Sequence, residues 1–373
     1  MQQGPELSIQ ESVTAHASQW FPELGGAPDA TWTLLSHRPS CSMYVVRLSG
    51  NGGTRRALAK VRRPVPVSAA SSSRAPRPRL RTTAASHGEL AELEYQGLSQ
   101  IHGDLAPRYP EFGAVRPLTL LATHSTIVME YVEQPTLRDG FVAASRLVPA
   151  RRSTRRVPPE AAWRNAGAWL RAFHDLPERR DRPARQPTAG AVVERFHAYG
   201  DFLASRLNEP RLNQIAAAGA TVASDVLDEH LELCVGHGDY AGRNIFVDAG
   251  GRVTVFDPMP RWRVPRFEDL CRFVVGLRLS GPQLHSQGYA YSSGDLARME
   301  SLFLAGYYGD DHIPYRQLKC YELLILLDKW SSLVDSGSHG AGWRARLHRA
   351  AMVPANAYAQ RQARQLLDTI RSP

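Results

Sequence analysis

The stretch "VGHGDYAGRNIFVDAGGRVTVFDP", residues 235–258, decides how the rest of the chain is read. Its apolar runs Asn244–Val247 and Arg252–Phe256 flank the turn Asp248-Ala249-Gly250-Gly251, the pattern of a tight β-hairpin. A hairpin returns the chain on itself, so Asn244 before it and Asp257 after it are expected side by side at its open end. An amide oxygen and a carboxylate held together suit Mg²⁺, which takes a few protein oxygens and completes its shell with phosphates. Asp239 precedes Asn244 in the order D-x-x-x-x-N and is positioned to accept a proton from an attacking hydroxyl. Asp and Asn are also ordinary turn residues, but turn-forming alone does not account for this order.

"HGDYAGRN" followed by "FDP" resembles the catalytic and metal-binding segments of the aminoglycoside phosphotransferase and choline kinase-like family. These are relatives of the protein kinases and carry HGD where protein kinases carry HRD. The resemblance implies an α+β, bilobal, protein-kinase-like fold with a small antiparallel-sheet N-lobe and a larger, mainly helical C-lobe. It implies ATP-dependent transfer of the γ-phosphate to a hydroxyl of an antibiotic, sugar or related metabolite, with resistance or self-protection as its use. Residues 1–133 would form the nucleotide-binding lobe, interrupted by a basic insert at about 62–86; residues 134–373 would hold the catalytic loop, metal site and acceptor site. Carried over residue by residue, Asp239 orients and deprotonates the acceptor, and Asn244 and Asp257 hold Mg²⁺. Arg243 either approaches the γ-phosphate or is an exposed loop charge. Asp269 in "FEDL" resembles the aspartate that supports the catalytic loop, and His174 is read as structural.

Upstream, strand patterns run over Thr31–Ser36, Met43–Leu48 and Arg55–Val61, the last two joined by the turn Asn51-Gly52-Gly53. The link "HRPSCS" contains no glycine, so Ser40, Ser42 and backbone N–H groups are expected to replace a glycine-rich phosphate loop. Alternation puts Leu58 and Lys60 on one face of the third strand and Ala57, Ala59 and Val61 on the other. An inward lysine is costly unless paired. By resemblance Lys60 binds the α- and β-phosphates, and its partner is Glu94 in the helix His87–Ile101, with Glu92 second. "VMEYVEQPTLRD" resembles the family's hinge, in which the backbone of Glu130–Val132 binds adenine and Met129 lines the pocket. Two strands, Val115–Ala122 and Thr126–Val132, precede that hinge, and Pro117 points to an edge or a strand start for the first of them. Beyond Pro159 the apolar period changes from two to nearly four, and the chain reads as helical. Its last helix is expected over Trp343–Ile370.

Composition narrows the alternatives. The 373 residues are 43% hydrophobic, enough for a sizeable core, and no run of about 18 apolar residues suggests a membrane span. The four cysteines are widely spaced and the N-terminus lacks a secretory pattern, as expected of a cytoplasmic protein. The net charge of +9 concentrates in arginine-rich segments at Arg62–Arg81, Pro149–Arg156 and Pro177–Pro187, read as solvated loops. They carry no aromatic residue for base stacking, which argues against nucleic acid as partner. From Met259 onward there are fifteen Lys/Arg against ten Asp/Glu, which disfavours a polycationic acceptor. Two other classes stay open. A pseudokinase-like nucleotide-binding scaffold fits the missing glycine loop but not the intact Asp239, Asn244 and Asp257. A protein kinase is disfavoured by Ala241, where those enzymes carry lysine, and by the absence of A-P-E.

Overall fold

The computed structural model describes residues 5–26, 28–64, 77–78, 85–147, 157–177, 182–337 and 343–371, and the side chains of 336–351 lie outside that description. In chain order the elements begin with helix α1 (Leu7–Trp20) and strands β1 (Asp29–Arg38), β2 (Cys41–Gly50) and β3 (Gly53–Arg62). Helices α2 (His87–Gln100) and α3 (Ala106–Arg108) follow, then strands β4 (Gly113–Ala114), β5 (Pro117–Leu121) and β6 (Thr126–Glu130). Next come helices α4 (Leu137–Ala143), α5 (Glu160–His174), α6 (Ala189–Leu207) and α7 (Arg211–Val226). Strands β7 (Leu233–Val235), β8 (Ile245–Val247), β9 (Val253–Val255) and β10 (Arg263–Pro265) lead to helices α8 (Phe267–Arg278) and α9 (Gly281–His285). Helices α10 (Ser293–Tyr308), α11 (Tyr315–Gly337) and α12 (Trp343–Arg371) close the chain. Two compact units result: Met1–Ser72 with Thr83–Gln134 and Thr254–Pro260, and Ser73–Thr82 with Pro135–Val253 and Arg261–Pro373.

The first unit is organised by an antiparallel sheet in the order β1-β2-β3-β6-β5. Pro117, which has no N–H to give a ladder, opens the edge strand β5. Central β3 is buried on both faces from Ala57 to Val61. On one face Ala57, Ala59 and Val61 pack with Tyr44 and Val46 of β2 and with Ile9, Val13 and Ala17, the i, i+4 stripe of α1. On the other, Leu58 packs with Ile127 and Met129 of β6 and with Ala91 and Leu98 of α2. Helix α2 starts at a capping box: Ser86 Oγ accepts from the Glu89 amide at 3.2 Å and Glu89 Oε2 accepts from the Ser86 amide at 2.6 Å.

The second unit is mainly helical. Helices α5 and α10 touch backbone to backbone: a Cβ on Gly167 would lie 1.9 Å from the Phe303 carbonyl oxygen, and one on Gly306 would lie 1.9 Å from that of Arg164. Helix α11 runs through the core, with Leu323 to Leu327 and Trp330 buried, and packs on α6, α7, α8 and α12. The helical reading of this half missed β7 and β10, which pair antiparallel with Val235 opposite Arg263. Three-residue strands are too short to display a period of two.

The arginine-rich segments lie largely outside the described residues, and those of their arginines that are described depart from the solvated reading. Arg77 donates to Asp328 Oδ1 at 2.7 Å and to Ser331 Oγ at 2.7 Å, Arg185 donates to Glu268 at 2.6 Å, and Arg182 is buried. Buried acids recruit these guanidiniums because a desolvated carboxylate needs a partner. Among the described residues no helix is long and apolar enough to cross a membrane.

Candidate active site

In the first unit the site is an ionic cluster on the α2 side of the sheet. Lys60 lies beside Leu58's face of β3, opposite Ile127 in register, and is only 6% exposed. Its Nζ donates to Glu94 Oε1 at 2.8 Å and to Asp257 Oδ1 at 2.6 Å. Glu94 is fully buried, whereas Glu92 accepts from Gln96 in an exposed pair. Burial alone would lower the Lys60 ammonium, but the charges of Asp257 and Glu94 outweigh it and hold its pKa above the usual lysine value. Burial pushes the Glu94 carboxyl up while Lys60 pulls it back. Asp257 has φ +60, a left-handed conformation uncommon outside glycine and a frequent mark of functional sites.

Arg62 also belongs to this cluster, and sequence reasoning missed it. It donates to Glu94 Oε2 and approaches the Met259 sulfur at 3.5 Å. The signal was present, because Arg62 follows Lys60 at the strand period of two, but it was counted as the start of the basic insert.

The other nucleotide-binding candidates stand at the end of β6. Met129 is buried opposite Leu58, in the same apolar cluster. The Glu130 amide donates to the Arg116 carbonyl at 2.9 Å and is therefore committed, whereas Val132 lies past the strand end. In the link between β1 and β2, Ser42 is fully buried with its hydroxyl 2.9 Å from His37 Nδ1, while Ser40 is exposed.

In the second unit the catalytic-loop candidates follow β7. Gly236 donates to the Trp262 carbonyl at 3.0 Å, and the His237 amide donates to Asp269 Oδ2 at 2.6 Å. Asp269 at the start of α8 thus fastens the loop, with His174 Nε2 3.5 Å from the same carboxylate oxygen. Gly238 takes φ +84, which glycine adopts at no steric cost and which turns Asp239 out of the core. Tyr240 returns inward, stacks on Trp169 of α5 with centroids 5.8 Å apart, and donates its hydroxyl to the Ala166 carbonyl at 2.6 Å. Burial pushes its phenol far up, so it stays a neutral donor.

Asp239 is held from two sides. Arg243 Nη2 lies 2.7 and 2.6 Å from its two carboxylate oxygens, and Asn244 Nδ2 donates to Oδ2 at 3.1 Å and to the backbone carbonyl at 2.9 Å. With its nitrogen spent this way, the Asn244 side chain has Oδ1 as its ligand atom. The turn after β8 is closed by the Asp248 carboxylate, which accepts from the amides of Gly250 and Arg252 at 2.8 and 2.9 Å. Lys60, Glu94, Arg62 and Asp257 are thus gathered in one unit, and Asp239, Arg243 and Asn244 in the other.

A model of the phosphotransferase enzyme family (APH) matches residues 42–300, which include the Lys60 cluster and the Asp239 loop. The chain belongs to that family. It is a phosphotransferase of the class that phosphorylates hydroxyl groups. In structure it is similar to the ethanolamine kinase of Plasmodium vivax, at 12% identity over 98% of this chain and 91% of that one, with a TM-score of 0.57. It is also similar to a choline kinase from Streptococcus pneumoniae (12%, 97% and 99%, TM-score 0.51) and to a thermostable mutant of an aminoglycoside phosphotransferase (13%, 97% and 100%, TM-score 0.53). At these identities the likeness establishes the fold, the α+β protein-kinase-like one expected from the sequence. A search of curated proteins by sequence found no match.

Asn244, in the second unit, and Asp257, in the first, each offer an oxygen of the kind magnesium takes. Asn244 Oδ1 and the Asp257 carboxylate are hard oxygen ligands, and among the described residues no cluster of three or more His, Cys, Asp or Glu could hold a metal unaided. Mg²⁺ normally binds through one or two such groups plus substrate phosphates.

Proposed function

We propose that this phosphotransferase moves the γ-phosphate of ATP to a hydroxyl of a small molecule. The observation that carries the reading is the Lys60 ammonium, buried and held charged between Glu94 and Asp257. A buried cation with two acids around it is costly to keep, and gripping a polyphosphate justifies that cost.

Lys60 orients the phosphates, and Glu94 keeps Lys60 in position. The backbone near Val132 and the side chain of Met129 receive the adenine. Asn244 and Asp257 are the residues that would hold magnesium, which would supply positive charge to offset that of the transferred phosphate. Asp239 accepts a hydrogen bond from the acceptor hydroxyl, aligns its oxygen, and takes its proton as the new P–O bond forms. Arg243, through its two contacts to Asp239, holds that carboxylate in one orientation. A loose transition state leaves little covalent work, so charge and positioning carry the rate.

The acceptor is a neutral or anionic sugar, antibiotic or related metabolite. The basic balance beyond Met259 supports this over a polycation. Four free cysteines suit a reducing compartment, the cytoplasm. The test is ADP release with MgATP across an antibiotic and metabolite panel, with mass spectrometry of the product. Expression in a sensitive host tests resistance. ADP release that no acceptor stimulates, with no phosphorylated product, would leave the scaffold reading in its place.

A further inference from the structure

A pocket of about 280 Å³ lies wholly within the second unit, and its wall includes Ala241, Gly242 and Arg243 of the catalytic loop. Three of its lining residues are cations: Arg138 at the start of α4, Arg243, and Lys329 of α11. Phe141, Trp163 and Phe273 form an aromatic wall, with Phe141–Trp163 centroids at 6.1 Å and Trp163–Phe273 at 6.3 Å, both edge-on. Among the described residues no Asp or Glu lines it.

The acids that influence Lys329 are committed elsewhere. Asp239 is bound by Arg243 and Asn244, and Asp328 accepts from Arg272, Tyr199 and Arg77. Lys329 itself donates to the Arg272 carbonyl at 2.9 Å, and neither it nor Arg138 has an ion-pair partner among the described residues. The space for its head comes from Gly276 in α8, where a Cβ would sit 3.2 Å from Nζ. Glycine inside a helix is less favourable than alanine, so this opening is maintained against local preference. Burial, with the charges of Arg272 and Arg243, pushes the Lys329 amine down to about 7, against the opposing pull of Asp239 and Asp328.

We propose that this pocket selects the acceptor, and that it takes a hydroxy compound carrying a carboxylate beside an aromatic or apolar group while rejecting cationic amines. Aromatic faces do attract cations. That attraction is short-ranged, however, and the unpaired Arg138 guanidinium, with Arg243 and Lys329 on the same wall, opposes it. A carboxylate, by contrast, finds an Arg fork and a lysine that binding can protonate. The inference rests on the phosphotransferase reading and names the substrate class for the same site.

The test uses three matched probes on the full chain: 3-phenyllactate, its amide, and 2-amino-3-phenylpropan-1-ol. Binding is measured by calorimetry or saturation-transfer NMR at pH 7 without nucleotide, with MgATP binding measured separately. The carboxylate should bind at least about tenfold tighter than the amine, with the amide between. Lys329→Gln should erase most of that preference. Arg138→Gln, at an exposed position, should reduce it in a protein whose folding is not in question. An amine that binds as well as the carboxylate, a preference that survives both variants, or no binding by any probe would overturn the inference. Failure of MgATP to bind would instead strike the phosphotransferase reading and leave the probe order to judge the pocket.

Discussion

Replacing Glu94 with Gln tests whether the Lys60 cluster is a balanced ionic unit. In the native chain Lys60 and Arg62 face Glu94 and Asp257, two charges of each sign, with Glu94 fully buried and Lys60 6% exposed. The substitution leaves buried Lys60 and half-buried Arg62 facing one acid, and it strips Arg62 of its carboxylate partner. Breaking a buried pair by removing one partner costs about 3–5 kcal/mol. Asp257 still holds Lys60 at 2.6 Å, so the low end applies, about 3 kcal/mol or roughly a 150-fold shift in the opening equilibrium. Hydrogen exchange at the β3 and α2 amides reads this locally, which matters in a chain of two units whose global unfolding need not be two-state. Lys60→Met combined with Glu94→Gln removes one charge of each sign, so the double variant should lose less than the sum of the singles by at least about 2 kcal/mol. A loss below about 1 kcal/mol for Glu94→Gln, the level of exposed pairs, would refute the reasoning.

Asp239→Asn should lower kcat by at least about 10²-fold with MgATP affinity unchanged, measured by steady-state kinetics and calorimetry, and an unaltered kcat would remove Asp239 from proton transfer. Gly306→Ala should destabilise the second unit by about 3 kcal/mol or more, because its methyl would meet the Arg164 carbonyl at 1.9 Å; a urea midpoint like the wild type's would contradict that close crossing. Lys329 supplies a pH signature. With its folded-state pKa pushed down to about 7, the unfolded chain binds more protons between that pH and the ordinary lysine range, so stability should rise with pH across this window. Burial sets this first, joined by the charges of Arg272 of α8 and Arg243 of the catalytic loop and opposed by Asp239 of that loop and Asp328 of its own helix. Urea midpoints should climb less steeply over that window in Lys329→Met than in the wild type, and parallel slopes would dismiss the depressed amine.

Local features of the site were legible from the letters. Asp239, Arg243 and Asn244 meet within one turn of chain, and Gly238 supplies the positive φ that exposes Asp239. The period of two in β3 put Lys60 on the face of Leu58, which the fold turns toward α2, and the same rule reaches Arg62 one step further. The capping box at Ser86 sets where α2 begins, and with it the register of Glu94. Each of these depends on dihedral preferences and short spacings that the chain carries wherever it goes.

What tertiary structure alone decided is which distant residues meet. Arg77 and Arg185 read as loop charges until Asp328 and Glu268 were found buried beside them. β7 and β10 exist as strands only because each supplies the other's hydrogen bonds. Lys329 sits in a helix far along the chain from Arg243, and only the packing of α11 against α8, with Gly276 leaving room, brings it to the pocket. Periodicity reports which side of an element is apolar. Which partner covers that side, and which charges are desolvated together, follows from complementary surfaces across long chain separations, and no local pattern encodes it.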